Sequence, residues 1–239
     1  MSFIITLYVR EGIVMASDSR IMLSARRVEG DREMIQFGIG QSDSIYKTFL
    51  TLTNIGISVF GMPEVKGVPI SGYIESFISD EVYRRNLAVD EVPGALIDYF
   101  KQLEVEPDSG FLVAGYRDGP DGMEQQVWEA LVRTGQVKRL NEPGKFGASW
   151  RGVSDILTRL LMPVSIQGED GSSRPLPHFP IQWSYFTLQD AIDYANYAVK
   201  VTADTLRFHP RPKTVGGPVD VLVIKPENAF WVKVKDLQG

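Results

Sequence analysis

The sequence predicts an α+β fold: a four-layer αββα sandwich of two stacked antiparallel sheets with helix pairs outside. Two observations carry this. The hydrophobic period changes between two and about 3.6 in blocks instead of alternating, and the blocks run strands, two helices, strands, two helices, strands. Segregated blocks of this kind argue against a βαβ parallel sheet. Composition fits a sizeable core, since 44% of the 239 residues are apolar and a chain of this length folds without disulfides or a structural metal. No abrupt compositional shift, linker tract or internal repeat divides it. One domain over residues 1–239 is therefore expected.

Each element has its own signal. Ser2 to Val9 and Ile13 to Ser19 are apolar runs around Arg10-Glu11-Gly12, a compact hairpin connection. Ile21 to Val28 and Met34 to Ile39 form a second pair around the polar tip Glu29-Gly30-Asp31-Arg32, and Tyr46 to Leu52 and Ile55 to Phe60 a third around Thr53-Asn54. The period then lengthens. Ile70, Tyr73, Ile74, Phe77 and Ile78 recur at three and four, predicting an amphipathic helix, and Val92 to Leu103 reads as another. Strands return at Gly110 to Tyr116 and Gln126 to Val132, with the turn at Asp118 to Gly122. A third helix spans about Val153 to Leu161 and stops at Pro163. A long stretch at about 163–186, rich in Pro, Gly and Ser, reads as a loop with aromatic anchors, a packed flap or an assembly contact. Thr187 caps a fourth helix marked by Leu188, Ile192, Ala195, Val199 and Leu206. Strands Val219 to Ile224 and Ala229 to Val234 close the fold.

Composition also narrows the chemistry. A net charge of -5 with both signs interspersed leaves no basic footprint for nucleic acid or an anionic membrane. The chain opens without a secretory pattern, and no apolar run approaches the roughly 20 residues that cross a bilayer. A soluble, cytoplasmic protein is expected, with no membrane partner. The absence of cysteine removes a thiol nucleophile and thiolate metal sites. Only two histidines, His178 and His209, are available, far apart in polar surroundings. An enzyme built on this chain needs another base, and no cofactor is implied. Phosphate-binding, dinucleotide-binding and zinc-protease signatures are missing, and at Gly147 to Arg151 the second glycine of a nucleophile elbow is replaced by Arg151.

The start of the chain supplies that base. Ser2 is small enough for an aminopeptidase to remove Met1, which exposes a hydroxyl and an α-amine on one residue. An α-amine titrates near 7.7–8.0, well below a lysine, and can accept a proton at cellular pH.

Further residues carry a resemblance. Glu11-Gly12-Ile13-Val14-Met15-Ala16-Ser17-Asp18-Ser19-Arg20 resembles the second strand of proteasome β-type subunits, and counting back from Asp18 places the family's nucleophile on Ser2 without a gap. Lys47-Thr48-Phe49, followed by Gly56-Ile57-Ser58-Val59-Phe60-Gly61, is similar to the family's lysine strand and the glycine-ended strand after it. Gly216-Gly217-Pro218-Val219-Asp220-Val221 is similar to its closing strand. On these motifs the chain is identified as a member of the proteasome-like N-terminal nucleophile (Ntn) hydrolases. The resemblance implies that Ser2 attacks an amide carbonyl, that Lys47 stands beside it as a cation, that Asp18 orients Lys47, and that Gly61 N–H binds the oxyanion. It also implies a peptide or small amide substrate, with an apolar side chain near Val59, and a homo-oligomer, in the family a ring. A catalytically silent scaffold subunit is the alternative.

The chain departs from the family in four places, one of them the stretch at about 163–186, which the resemblance makes an inserted loop. About a dozen extra residues, centred on Val28 to Met34, separate Asp18 from Lys47 and are absorbed most simply by a lengthened hairpin. The family's aspartate and serine ahead of the Gly-Gly pair match Pro212 and Val215, leaving Thr214 or Ser149 to supply a hydroxyl there. Serine in place of threonine frees χ1 of the nucleophile.

Overall fold

The computed structural model describes residues 2–29, 32–120 and 122–236, and for 23–39 the backbone alone. Met1, Gly30, Asp31, Asp121 and residues 237–239 lie outside the described residues, and with them part of the tip expected at Glu29 to Arg32 and of the turn expected at Asp118 to Gly122. In chain order the elements are β1 (Phe3–Val9), β2 (Gly12–Ser17), β3 (Ile21–Glu29), β4 (Arg32–Ser42), β5 (Thr48–Leu50), β6 (Gly56–Gly61), β7 (Glu64–Val65), β8 (Val68–Pro69), α1 (Ile70–Phe77), α2 (Val92–Lys101), β9 (Ser109–Gly119), β10 (Gly122–Leu131), β11 (Gln136–Arg139), β12 (Gly147–Gly152), α3 (Asp155–Leu161), β13 (Ser165–Gln167), β14 (Ser173–Pro175), α4 (Leu188–Phe208), β15 (Asp220–Ile224) and β16 (Ala229–Lys233). The chain is thus a mixed α+β protein with four α-helices among the described residues. None of them is long and apolar enough to cross a membrane.

Two five-stranded antiparallel sheets dominate, one ordered β12-β1-β2-β15-β16 and the other β11-β10-β9-β6-β5. β1 is apolar at nearly every position because both of its faces are covered. Phe3, Ile5, Leu7 and Val9 pack with Leu157, Ala191, Ala195 and Val199 of the helices α3 and α4. Ile4 and Tyr8 point the other way, into a cluster shared with Met15, Leu112, Val127 and Leu222 from both sheets. A third cluster joins the second sheet to α1 and α2 through Ile57, Val59, Phe77, Leu96, Phe100 and Phe111. Strand alternation and helical spacing therefore converge on the same buried layers.

Several element limits differ from expectation for local reasons. β5 is only Thr48–Leu50, so Lys47 stands just ahead of the strand and not within it. The helix begun at Ile70 continues past Phe77 as a π-helical segment, Ile78–Tyr83. Strands without a sequence signal are also present, among them the short pair β7–β8, β11 and β12, and β12 pairs with β1 along Phe3↔Gly152 to Tyr8↔Gly147. The stretch at 163–186 carries a small exposed hairpin, β13–β14, and a 3-10 turn, Trp183–Tyr185. Trp183 and Phe186 there pack edge-on against Tyr194 of α4. The cap of α4 is as expected: Asp190 N donates to Thr187 Oγ1 at 3.1 Å and Thr187 N to Asp190 Oδ2 at 2.9 Å. This reciprocal pair satisfies two backbone donors at the helix start. Between Asp18 and Lys47, β3 and β4 pair antiparallel as a long hairpin, from Ile21↔Ser42 to Glu29↔Arg32.

Candidate active site

Ser2, Asp18, Lys47 and Gly61 come from four separate stretches of chain. Ser2 precedes β1 and is 4% exposed. Its carbonyl accepts from Val153 N at 2.8 Å. That approach depends on Gly152, whose φ is +88° and where an added Cβ would lie 1.7 Å from Ser2 O. No side chain fits, so a glycine is required where β12 closes on the start of β1.

Asp18 follows β2 and is fully buried. Its carboxylate is the hub of the site. Oδ1 accepts from Phe3 N at 2.9 Å and from Lys47 Nζ at 2.8 Å, while Oδ2 accepts from Arg20 N and Gly216 N, each at 3.1 Å. Four donors compensate the desolvation of a buried carboxylate. Through Phe3 N the same group grips the chain one residue from the Ser2 hydroxyl.

Lys47 is buried beside it, and Nζ also donates to Arg20 O at 2.7 Å. Burial pushes the Lys47 ammonium below the usual lysine range, the Asp18 carboxylate opposes this, and the like charge of Lys235 adds to the lowering. The strands on either side are tied as well: Val59 N donates to Lys47 O at 2.8 Å, and Thr48 Oγ1 donates to Ser17 Oγ at 2.9 Å and contacts Ser58 Oγ at 2.9 Å. This buried hydroxyl chain joins β2 of one sheet to β5 and β6 of the other, with Asp18 and Lys47 at its flanks.

Gly61 ends β6 opposite Ser109. Its φ is +103°, and an added Cβ would meet Asp108 O at 2.4 Å. Gly61, Ser2 and Lys47 line one cleft, together with Arg20, Ile21, Ile45, Val59 and Ile70. The structure thus brings the four expected residues together: Asp18 and Lys47 as a bonded pair, Ser2 and Gly61 on the cleft they share with Lys47. Among the described residues, neither Thr214 nor Ser149 hydrogen-bonds to Ser2, Asp18 or Lys47, and no cluster of His, Asp and Glu is arranged to hold a metal ion.

Sequence reasoning missed a second buried ion pair close by. Asp220 and Lys235 are joined through Oδ2 and Nζ, and Lys235 N donates to Asp220 Oδ1 at 2.9 Å. Lys235 Nζ also sits 3.9 Å from the centroid of the Tyr46 ring, a cation–π contact beside Lys47. Asp220 stands in the stretch expected to form the closing strand, where sequence reasoning assigned it no role of its own, and Lys235 follows a short edge strand and carries no pattern. Compared with known proteins, the chain matches no protein-family model and no curated sequence.

Proposed function

We propose that this protein is an Ntn hydrolase of proteasome-like type, in which Ser2, freed by removal of Met1, cleaves an amide bond. The reading includes the full four-layer αββα sandwich as a single domain. The observation that carries it is the Asp18 hub. One buried carboxylate holds both the backbone beside Ser2 and the Lys47 ammonium, and Ser2, Lys47 and Gly61 line a single cleft. A buried ion pair is by itself weak evidence for stability, and what separates this pair from Asp220–Lys235 is that Lys47 also lines the cleft it shares with Ser2.

In the proposed reaction the Ser2 hydroxyl oxygen bonds to the substrate carbonyl carbon, and its proton passes to the Ser2 α-amine. Lys47 favours this transfer. Its positive charge stabilises the developing alkoxide and keeps the neighbouring amine neutral. The carbonyl oxygen becomes an oxyanion held by Gly61 N–H, where the absence of a side chain leaves room for it. Collapse breaks the C–N bond, and the leaving amine takes the proton back from the α-ammonium. Water then adds to the ester on Ser2, with the same amine as base, and releases the acid and the free hydroxyl. Ile21, Ile45, Val59 and Ile70 on the cleft wall favour an apolar side chain next to the scissile bond.

A chain beginning at Ser2 is tested against a series of peptidyl aminocoumarins ending in leucine, phenylalanine, lysine or glutamate. Release of aminocoumarin is expected from the apolar members. It is expected to vanish in Ser2→Ala and in a chain that keeps Met1. No release from any member by a protein shown by mass to begin at Ser2 would favour the silent scaffold. The reading also carries the family's assembly, a homo-oligomeric ring, and a strict monomer in native mass spectrometry would remove it.

A further inference from the structure

Arg20 is bound into the site by its main chain. Its N–H donates to Asp18 Oδ2 at 3.1 Å and its carbonyl accepts from Lys47 Nζ at 2.7 Å, so one peptide segment holds both members of the buried pair. The side chain forms a two-pronged ion pair with Asp43, Nε to Oδ1 at 2.7 Å and Nη2 to Oδ2 at 2.8 Å. A fork-to-fork pair fixes orientation as well as distance. Both partners lie against the Gly216–Gly217 turn: a Cβ on Gly216 would come within 2.6 Å of Arg20 Cζ, and one on Gly217 within 2.9 Å of Asp43 Cβ. The N–H of that same Gly216 is the fourth donor to Asp18.

The pair also occupies a defined place in the chain. Arg20 stands immediately before β3, Asp43 immediately after β4, and Ile21↔Ser42 is the first rung above them. The ion pair therefore clasps the base of the long hairpin at the point where both of its strands leave the site.

We propose that the Arg20–Asp43 clasp positions the Asp18–Lys47 pair, with Asp43 the positioning residue that holds the backbone of residue 20 in place. Neither side chain needs to touch substrate for this. The clasp is partly exposed, with side-chain exposures of 20% and 35%, and even a well-aligned exposed pair contributes only modestly to stability. Its loss should therefore be felt in the geometry around Lys47 more than in the melting temperature. The effect on turnover rests on the hydrolase reading above; the effect on Lys47 does not.

Four proteins beginning at Ser2 are compared: the parent chain, Asp43→Asn, Asp43→Glu and, as a control, Asp90→Asn, which breaks another partly exposed arginine–aspartate pair, Arg117–Asp90 at 2.7 Å. Exchange of the Lys47 ammonium protons is followed by nitrogen-15 NMR of lysine-labelled protein, with the signal assigned by its loss in Lys47→Met. Turnover is followed with the leucyl aminocoumarin peptide. Asp43→Asn is expected to speed Lys47 proton exchange at least about ten-fold and to lower kcat about ten-fold with little change in KM, the scale of a small misplacement of a reacting group. Its melting temperature is expected to stay within about 3 °C of the parent. Asp43→Glu should recover most of both effects, and Asp90→Asn should change neither.

Unchanged Lys47 exchange in Asp43→Asn overturns the proposal, whatever the turnover. So does a loss that tracks the melting temperature and is not recovered by Asp43→Glu. If the parent chain shows no turnover and Asp43→Asn still speeds the exchange, the hydrolase reading fails and the clasp stands.

Discussion

Replacing Asp18 by asparagine removes one negative charge from a buried site with almost no change in volume, and the consequences can be worked out donor by donor. The carboxylate accepts two hydrogen bonds on each oxygen. An amide offers one accepting oxygen, and its NH2 group must then face two donors that it cannot bond. Lys47, whose side chain is 7% exposed, is left without its counter-charge. Breaking a buried pair by removing one partner costs about 3–5 kcal/mol, a large part of the roughly 5–15 kcal/mol that holds a domain together. For a chain of this size each kcal/mol is worth about 2–4 °C, so Asp18→Asn should melt roughly 6–20 °C below the parent.

The loss should also depend on pH in one direction. Burial already lowers the Lys47 pKa from 10.5, and removing Asp18 lowers it further. Between that folded value and 10.5 the unfolded chain binds more protons than the folded one. Stability therefore rises with pH across this window, by up to about 1.4 kcal/mol per unit. Urea unfolding followed by tryptophan fluorescence from pH 7 to 10 measures it. Comparing Asp18→Asn with the double variant Asp18→Asn/Lys47→Met isolates the lysine, because every other group titrates in both. The double variant should be the more stable at pH 7 by about 2 kcal/mol or more, and the gap should close toward pH 10. An Asp18→Asn protein within about 1 kcal/mol of the parent at pH 7, or a gap independent of pH, would refute the reasoning.

Three further outcomes follow from single contacts. Gly152→Ala, with its Cβ driven into Ser2 O at positive φ, should cost about 3 kcal/mol or more in urea unfolding; a loss below about 1 kcal/mol would mean that β12 does not sit so close to Ser2. Lys235→Met leaves Asp220 buried and unpaired and should cost about 3–5 kcal/mol, with much of it recovered in Asp220→Asn/Lys235→Met; equal losses in the two would deny the pairing. Thr187→Ala removes the α4 cap and should lower the melting temperature by about 2–4 °C, whereas no change would show that the capping box contributes nothing.

How much could be read from the chain depended on whether the signal was local. Thr187 and Asp190 form a cap within one turn, so the start of α4 was legible residue by residue. β1 and β2 were legible because continuous apolar runs bounded by a short turn admit few alternatives. Asp18, Lys47 and Gly61 could be named only through a resemblance, since periodicity says nothing of a lysine that precedes a three-residue strand. β12 was missed because Gly-Ala-Ser-Trp-Arg-Gly has glycine at both ends and little apolar alternation; it is a strand because β1 offers it a partner. The Arg20–Asp43 and Asp220–Lys235 pairs were missed for a related reason. Their partners meet only after sheets and hairpins have closed, and a lone aspartate in a polar stretch looks the same whether it is solvated or buried.

The central claim is that the hydroxyl and the α-amine of Ser2 act on the same carbonyl. A leucine-ended peptide epoxyketone tests both atoms at once, because the hydroxyl adds to the ketone and the amine opens the epoxide to close a six-membered ring. Tandem mass spectrometry of protein beginning at Ser2 should find one equivalent of the reagent on the first residue, with both Ser2 Oγ and its nitrogen consumed, and none on Ser2→Ala. An unmodified chain whose mass shows Ser2 to be the first residue, or an adduct on any other side chain, would contradict the account.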